Sequence, residues 1–261
     1  MKIIYKQPKA TADVSSARGS AGKELWQLLL SATLLLVALY FALGWAVDFI
    51  VARISFETEA RIFSSYQPKG VNRNDDENKA YLQRAASILS KLTQSATVSP
   101  LPYRLVVIKN DEPNAFAFPG GTIGVTTGLL DVLKEEIEVA FVLGHELGHF
   151  HNRDHLQGMG RAVGFRIVLS IIFGGSPGAD SFGDMIEYVF QRNYSQERER
   201  QADRFGVTLV LATYGKVDGV DKLFQMLLEE GTLPGWAYMF STHPAPRKRI
   251  DDLKKYAYEI Q

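Results

Sequence analysis

Residues 145–149 read His145-Glu146-Leu147-Gly148-His149, at the end of a run that opens Ile137-Glu138-Val139-Ala140-Phe141-Val142-Leu143. Residues at i and i+4 lie on one helical face about one turn apart, so two imidazoles so spaced can meet the same ion. Glu146, one step round the helix, can reach a water held on that ion and take its proton. Val132, Leu133, Ile137, Ala140, Val142 and Leu147 form a broad apolar face, which predicts a helix over 131–150. The chain has five His and no Cys, so any metal must be held by imidazole and carboxylate, and neither thiol catalysis nor a disulfide is open to it.

Two ligands do not close a catalytic metal site; a third is needed, with one position left for water. His155 stands six residues after His149, the spacing metzincins use, with Asn152 in the place of their glycine. Asn tolerates a left-handed turn, so that departure weakens the option without removing it. Glu199 is the other candidate, fifty residues on, in Ser195-Gln196-Glu197-Arg198-Glu199-Arg200-Gln201-Ala202-Asp203. Glu199 and Asp203 share a helical face, which suits a ligand carboxylate with an Asp behind a metal-bound His. Chemistry alone leaves the choice open, since a charged run of this kind also reads as a solvated helix face.

Outward from the motif, the segments divide the 261 residues into an N-terminal tail (1–24), a transmembrane anchor (25–51), a linker (52–75) and one domain (76–261). Leu28–Val47 is 20 residues without a charge, with Trp26 and Trp45 near its ends. At 1.5 Å per residue such a helix spans about 30 Å, the hydrocarbon thickness of a bilayer. Membrane lipid is then a partner of the N-terminal helix. Five Lys/Arg precede the run and three follow it closely, which puts the N-terminus in the cytoplasm and the domain outside.

The polar stretch Asn72–Asn78 opens a helix to about Ser95. Leu105–Ile108 reads as a strand, and Asn114–Thr127 as a hairpin around Gly120 and Gly121. The 12 residues Ala162–Phe173 are too short to span a bilayer; they read as a buried or membrane-grazing helix, burial being favoured. Residues 174–183 are Gly-rich loop, and helices are expected over 197–212, 217–230 and from Pro246. The fold class is therefore α+β, mainly helical, with a small antiparallel sheet and one preceding transmembrane helix.

The motif with its upstream LLDVLKEEIEVAFVLG, then YSQERERQADRFG and STHPAPRKRI, resembles the zinc endopeptidases that include HtpX and the CAAX prenyl endoproteases. The likeness is clear over 114–117, 121–149, 195–206 and 241–250. It implies a zincin-like domain holding one zinc ion, with His145, His149 and Glu199 as ligands, Asp203 behind them and Glu146 as general base. It also matches His243 and Arg249 to residues that steady the oxyanion of an attacked peptide carbonyl. A closed Thr242–Pro246 loop would instead make His243 a fourth, inhibitory ligand. Asn114 falls at the start of the family's substrate-side strand, where an extended peptide can add to a sheet edge. The family's Ser-Arg before the glutamate reads Ser195-Gln196 here.

Lys+Arg and Asp+Glu are 29 each, so the chain has no basic surplus for nucleic acid. The sequence thus points to a membrane-anchored zinc endopeptidase for unfolded or extended proteins, in quality control or processing. A zinc-stabilised chaperone that holds such clients uncut is the rival, against which Glu146 speaks.

Overall fold

The computed structural model describes residues 21–66, 78–173, 194–222, 243 and 247–260. The chain divides into two compact units, Met1–Leu43 and Gly44–Gln261. Helix α1 (Ala21–Val51) supplies the described part of the first. Its Leu28, Leu34, Leu35 and Phe41 are exposed, and it is long and apolar enough to cross a membrane. Two of the hydroxyls in its apolar stretch are satisfied locally: Ser31 donates to Leu28 O at 3.0 Å and Thr33 to Leu29 O at 2.8 Å. In hydrocarbon every polar group must find such an internal partner.

The second unit begins with the last turns of α1 and continues through α2 (Phe56–Ile62), α3 (Lys79–Leu92), β1 (Arg104–Ile108), β2 (Ala115–Phe118) and β3 (Thr122–Thr126). Then follow α4 (Thr127–Val132), α5 (Glu136–His151), α6 (Asp154–Phe173), α7 (Gln196–Tyr214) and α8 (Arg247–Ile260). The sheet order is β1-β3-β2. β2 and β3 form the expected antiparallel hairpin, but β1 runs parallel to β3, from Arg104↔Thr122 to Ile108↔Thr126. The sheet is therefore mixed, where the sequence suggested an antiparallel one. Gly120 and Gly121 turn the hairpin at φ of 76° and 84°, a region L side chains avoid. β3 is buried along its whole length, whereas β2 is an edge that pairs only with β3 among the described residues.

The helix expected over 131–150 is two helices. Leu133 leaves helical geometry (φ −85°, ψ 106°), and α5 restarts with a capping box in which the Glu138 side chain accepts from the Glu135 N–H. A reciprocal cap satisfies free N–H groups and so favours a fresh start there. α6 also departs from expectation: Phe165 and Ile167 are exposed, not buried. The Gly-rich segment 174–183 and most of the helix expected over 217–230 lie outside the described residues.

The core lies where α3 and α5 cover the sheet and α7 packs on α5, with Phe141, Leu143, Leu147, Phe150 and Val207 fully enclosed. The α5–α7 approach is unusually close. A Cβ at Gly148 would lie 2.8 Å from Ala202 Cα, and one at Gly206 would lie 2.9 Å from His145 N. Glycines at these positions let the two backbones meet, and on each helix the neighbouring residues carry the chemistry.

Candidate metal centre

On α5 the pairs Gly144-His145 and Gly148-His149 recur at four-residue spacing, so the glycines face α7 with an imidazole beside each. On α7 the residues Glu199, Ala202, Asp203 and Gly206 follow the same helical spacing and are all buried. Ser195 caps the helix, its hydroxyl accepting from Arg198 N–H at 3.4 Å, and so fixes where the first turn, and Glu199 with it, begins.

The result is a convergence of lone pairs. Ligand atoms of His145, His149, Glu199 and His243 all lie within 4.8 Å of one another, in buried residues. The two Nε2 atoms are 3.1 Å apart; Glu199 oxygens lie 3.6 Å from His145 Nε2 and 3.4 Å from His149 Nε2. A tetrahedral ion with bonds of about 2.05 Å separates its ligands by about 3.3 Å, so these spacings fit zinc. Each imidazole has its other nitrogen oriented by a carboxylate: His145 Nδ1 by Asp203 at 2.9 Å and His149 Nδ1 by Asp154 at 2.9 Å. That leaves both Nε2 atoms aimed at the common point.

Arg249 is buried and committed to acids. Its Nε donates to Asp203 Oδ2 at 2.7 Å, and its Nη1 lies 2.6 Å from Glu199 Oε2. Arg198 stands 3.3 Å from Asp154 on the other flank. Burial pushes the Glu199 carboxyl up, but His243, Arg249 and His149 outweigh it and hold the group well below the usual carboxylate range. Asp203 is likewise held down, burial being overcome by Arg249 and His145. Burial lowers His145. For His149 burial is overcome by Asp154, Glu199 and Glu146, and its pKa is pushed up to about 10. Four carboxylates (Glu146, Asp154, Glu199, Asp203) face two guanidiniums, so acids outnumber the fixed positive charges around the point where the ligand atoms converge, as suits a cation site.

Glu146 completes the picture. It is 2% exposed, and its Oε2 has no hydrogen-bond partner among the described residues. A buried carboxylate oxygen without a donor is costly unless a ligand or water uses it. His243 Nε2 lies 3.7 Å from Glu146 Oε1, while its Nδ1 lies 3.1 Å from Glu199 Oε1. His243 therefore stands between the metal point and the base.

The family model described as Peptidase family M48 matches residues 77–257 of the sequence. The chain belongs to peptidase family M48. Members of the family use zinc, and the buried cluster fits that cofactor, so the protein is a zinc metalloendopeptidase. Among similar proteins, Metalloprotease LoiP of Escherichia coli is 30% identical over 184 residues, 68% of this chain and 71% of LoiP. The mitochondrial metalloendopeptidase OMA1 of Schizosaccharomyces pombe is 27% identical over 179 residues, 67% of this chain and 52% of OMA1. A Protease HtpX homolog of Desulforapulum autotrophicum is 30% identical over 210 residues, 64% of this chain and 67% of that protein. With its exposed apolar helix α1, this M48 peptidase is membrane-anchored.

Of the residues singled out in the sequence, His145, Glu146, His149, Glu199, Asp203, His243 and Arg249 all meet in this one cluster. Asn114 does not. It is 1% exposed at the start of β2, its side-chain oxygen accepting from Ala115 N–H at 2.9 Å. Two participants escaped the sequence reading. Asp154 orients His149, and Tyr194 stacks on the His149 ring at 4.1 Å and 22°. Asp154 had a signal, since each ligating imidazole needs an acceptor for its second nitrogen and an acid stood five residues on. Tyr194 had none.

Proposed function

We propose that His145, His149 and Glu199 hold the zinc ion and that Glu146 is the general base in hydrolysis of unfolded or extended proteins beside a membrane. The observation that carries this is the convergence of three ligand atoms on one buried point, beside a Glu146 oxygen that has no hydrogen-bond partner among the described residues. When bound, zinc supplies Lewis acidity, lowering the pKa of water and polarising the scissile carbonyl. Glu146 removes a proton from the attacking water and returns it to the departing amine nitrogen, so that C–N cleavage leaves a carboxylate and an amine. Asp203 and Asp154 keep the two imidazoles in the tautomer that presents Nε2. Arg249, with its donors on Glu199 and Asp203, orients both carboxylates, which modifies the oxyanion role expected from the resemblance. Asn114 fixes the start of edge strand β2, onto which an extended substrate adds through main-chain hydrogen bonds. The domain lies on the extracytoplasmic side, as the basic excess before α1 supports.

His243 supports a second reading. Its Nδ1 is as near Glu199 as the ligand imidazoles are, so it can serve as a fourth ligand that closes the position water needs. In that reading His243→Ala raises cleavage; as a transition-state donor its loss lowers it.

The deciding experiment follows cleavage of a permanently unfolded, fluorescently labelled protein by the full chain in detergent with zinc, for wild type and Glu146→Gln. Loss of a general base costs on the order of 10²–10⁴ in rate. Cutting by wild type alone, with equal zinc in both proteins, supports the reading. Zinc binding with client capture and no cutting by either protein replaces it with the chaperone.

A further inference from the structure

A second buried polar cluster lies beyond the C-terminal end of α5, and the peptidase chemistry does not use it. Its centre is Glu59 of α2, which is separated from the end of α1 by four residues, the last of them Ser55, the cap of α2. Glu59 is 0% exposed. Its Oε1 accepts from His155 Nε2 at 2.7 Å and from Gly120 N–H at 3.2 Å, and Arg153 Nη1 stands 3.9 Å from Oε2. The Arg153 guanidinium lies 4.0 Å over the Phe56 ring of the same helix. At the end of α2, Phe63 abuts the hairpin turn so closely that a Cβ at Gly120 would lie 2.8 Å from Phe63 Cβ.

A carboxylate buried this completely needs a reason to be there. Two of its partners flank a single residue, Asp154, which hydrogen-bonds His149. Arg153 also has φ of 58°, the one positive φ outside glycine among the described residues. A non-glycine in that region persists only where its surroundings over-determine it. Here those surroundings are Glu59 and Phe56. Burial raises the Glu59 carboxyl, but His155, the Gly120 N–H and Arg153 together hold it below its ordinary value, so the group stands as an anion in their midst.

We propose that Glu59 is a positioning residue: from the helix next to the membrane anchor it clamps the Arg153–His155 turn, and so keeps Asp154 on His149. This rests on His149 being a zinc ligand. The same carboxylate pins the β2–β3 turn, so one side chain ties the membrane-proximal segment to the metal support and to the edge strand.

The test uses the full chain in detergent. It measures zinc affinity by chelator competition, and kcat and KM on the unfolded protein at saturating zinc. Removing an outer-shell partner costs about 10- to 100-fold in metal affinity or activity. Glu59→Ala is expected to fall in that range for zinc affinity, with the kinetic loss larger in kcat than in KM, since the carboxylate reaches the substrate edge only through the turn after β2. Glu59→Gln keeps an acceptor for His155 and Gly120 and restores affinity to within about threefold. In an Asp154→Asn background Glu59→Ala costs nothing further, because both act through one link. Wild-type zinc affinity in Glu59→Ala overturns the proposal, as does an equal loss in the Asp154→Asn background. Should Glu59→Ala fail to fold, Glu59→Asp retains the charge but withdraws the oxygen by one methylene. Unchanged zinc affinity in that folded variant overturns the proposal too. If wild type binds zinc and His149→Ala does not, the metal reading stands whatever Glu59 does. If wild type binds none, both fall.

Discussion

His149 and His155 lie six residues apart, both are 0% exposed, and both give one ring nitrogen to a carboxylate. Only His149 belongs to the metal cluster. Its Nδ1 meets Asp154, which leaves Nε2 3.1 Å from His145 Nε2 and 3.4 Å from Glu199. His155 spends Nε2 on Glu59, and its Nδ1 has no hydrogen-bond partner among the described residues, with the ring lying 4.8 Å from that of Phe150. Burial and a carboxylate partner therefore do not make a ligand. What does is a second nitrogen facing other lone pairs, a property set by which ring atom the orienting acid takes.

Exchanging the two positions for alanine is the strongest way to break that contrast. His149→Ala is expected to lower zinc content from one ion per chain to background and activity by about 10³-fold, since the metal supplies several kcal/mol of transition-state stabilisation. His155→Ala is expected to keep one zinc ion per chain, its affinity lowered by no more than the roughly 10- to 100-fold that loosening the Glu59 clamp costs. Metal analysis of the two purified proteins checks both, and zinc content at background in His155→Ala, equal to that of His149→Ala, would restore the HExxHxxGxxH reading at the expense of Glu199. Next in size is Asp154→Asn, which keeps the shape of the side chain but weakens the acceptor on His149 Nδ1. Zinc affinity is expected to fall about 10- to 100-fold, read by chelator competition.

How much of this was readable in advance follows from which interactions are local. The His145–His149 pair and Glu146 depend on helical spacing, which sequence displays directly. Chemistry left Glu199 open between a ligand and a solvated face, and the expectation came from the family resemblance; what buries the residue is the α5–α7 contact across Gly144, Gly148 and Gly206. The parallel pairing of β1 with β3 was invisible, because neither strand's alternation records its neighbour's direction. The break at Leu133 was missed for a related reason: an apolar helical period continued across it, and the cap at Glu135 uses Glu where Ser or Asp is the stronger signal. Glu59 offered no hint at all. An acid in a short linker helix reads as solvated, and only the fold brings it to His155, 96 residues away.

The glycine contact gives a smaller, structural prediction. Gly206→Ala adds a methyl where His145 N is 2.9 Å away, and the Gly148 equivalent meets Ala202 Cα at 2.8 Å. Both obstacles are backbone, so the helices must part. Overpacking of this kind costs about 1–3 kcal/mol. It would also draw Glu199 away from the imidazoles, so zinc affinity is expected to fall together with thermal stability. For a methyl facing solvent neither would change.

The smallest effect concerns pH and returns to the two histidine clusters. Glu59 is held below its ordinary value of 4.5 by His155, Gly120 and Arg153 against the pull of burial. A depressed carboxyl binds its proton less readily folded than unfolded, so its contribution to stability is whole above the unfolded pKa and is lost as pH falls through the folded one. Glu59→Gln removes the charge while preserving an acceptor. The stability gap between wild type and Glu59→Gln is therefore expected to be constant from neutral pH down to about 5 and to close as pH falls below 4.5 and through the lower folded-state value, where wild-type Glu59 itself becomes neutral. Thermal unfolding of the two full-length proteins across that range measures it. A gap that persists unchanged into acid would mean that the cluster holds its turn through shape and hydrogen bonding alone, with the carboxylate charge contributing nothing.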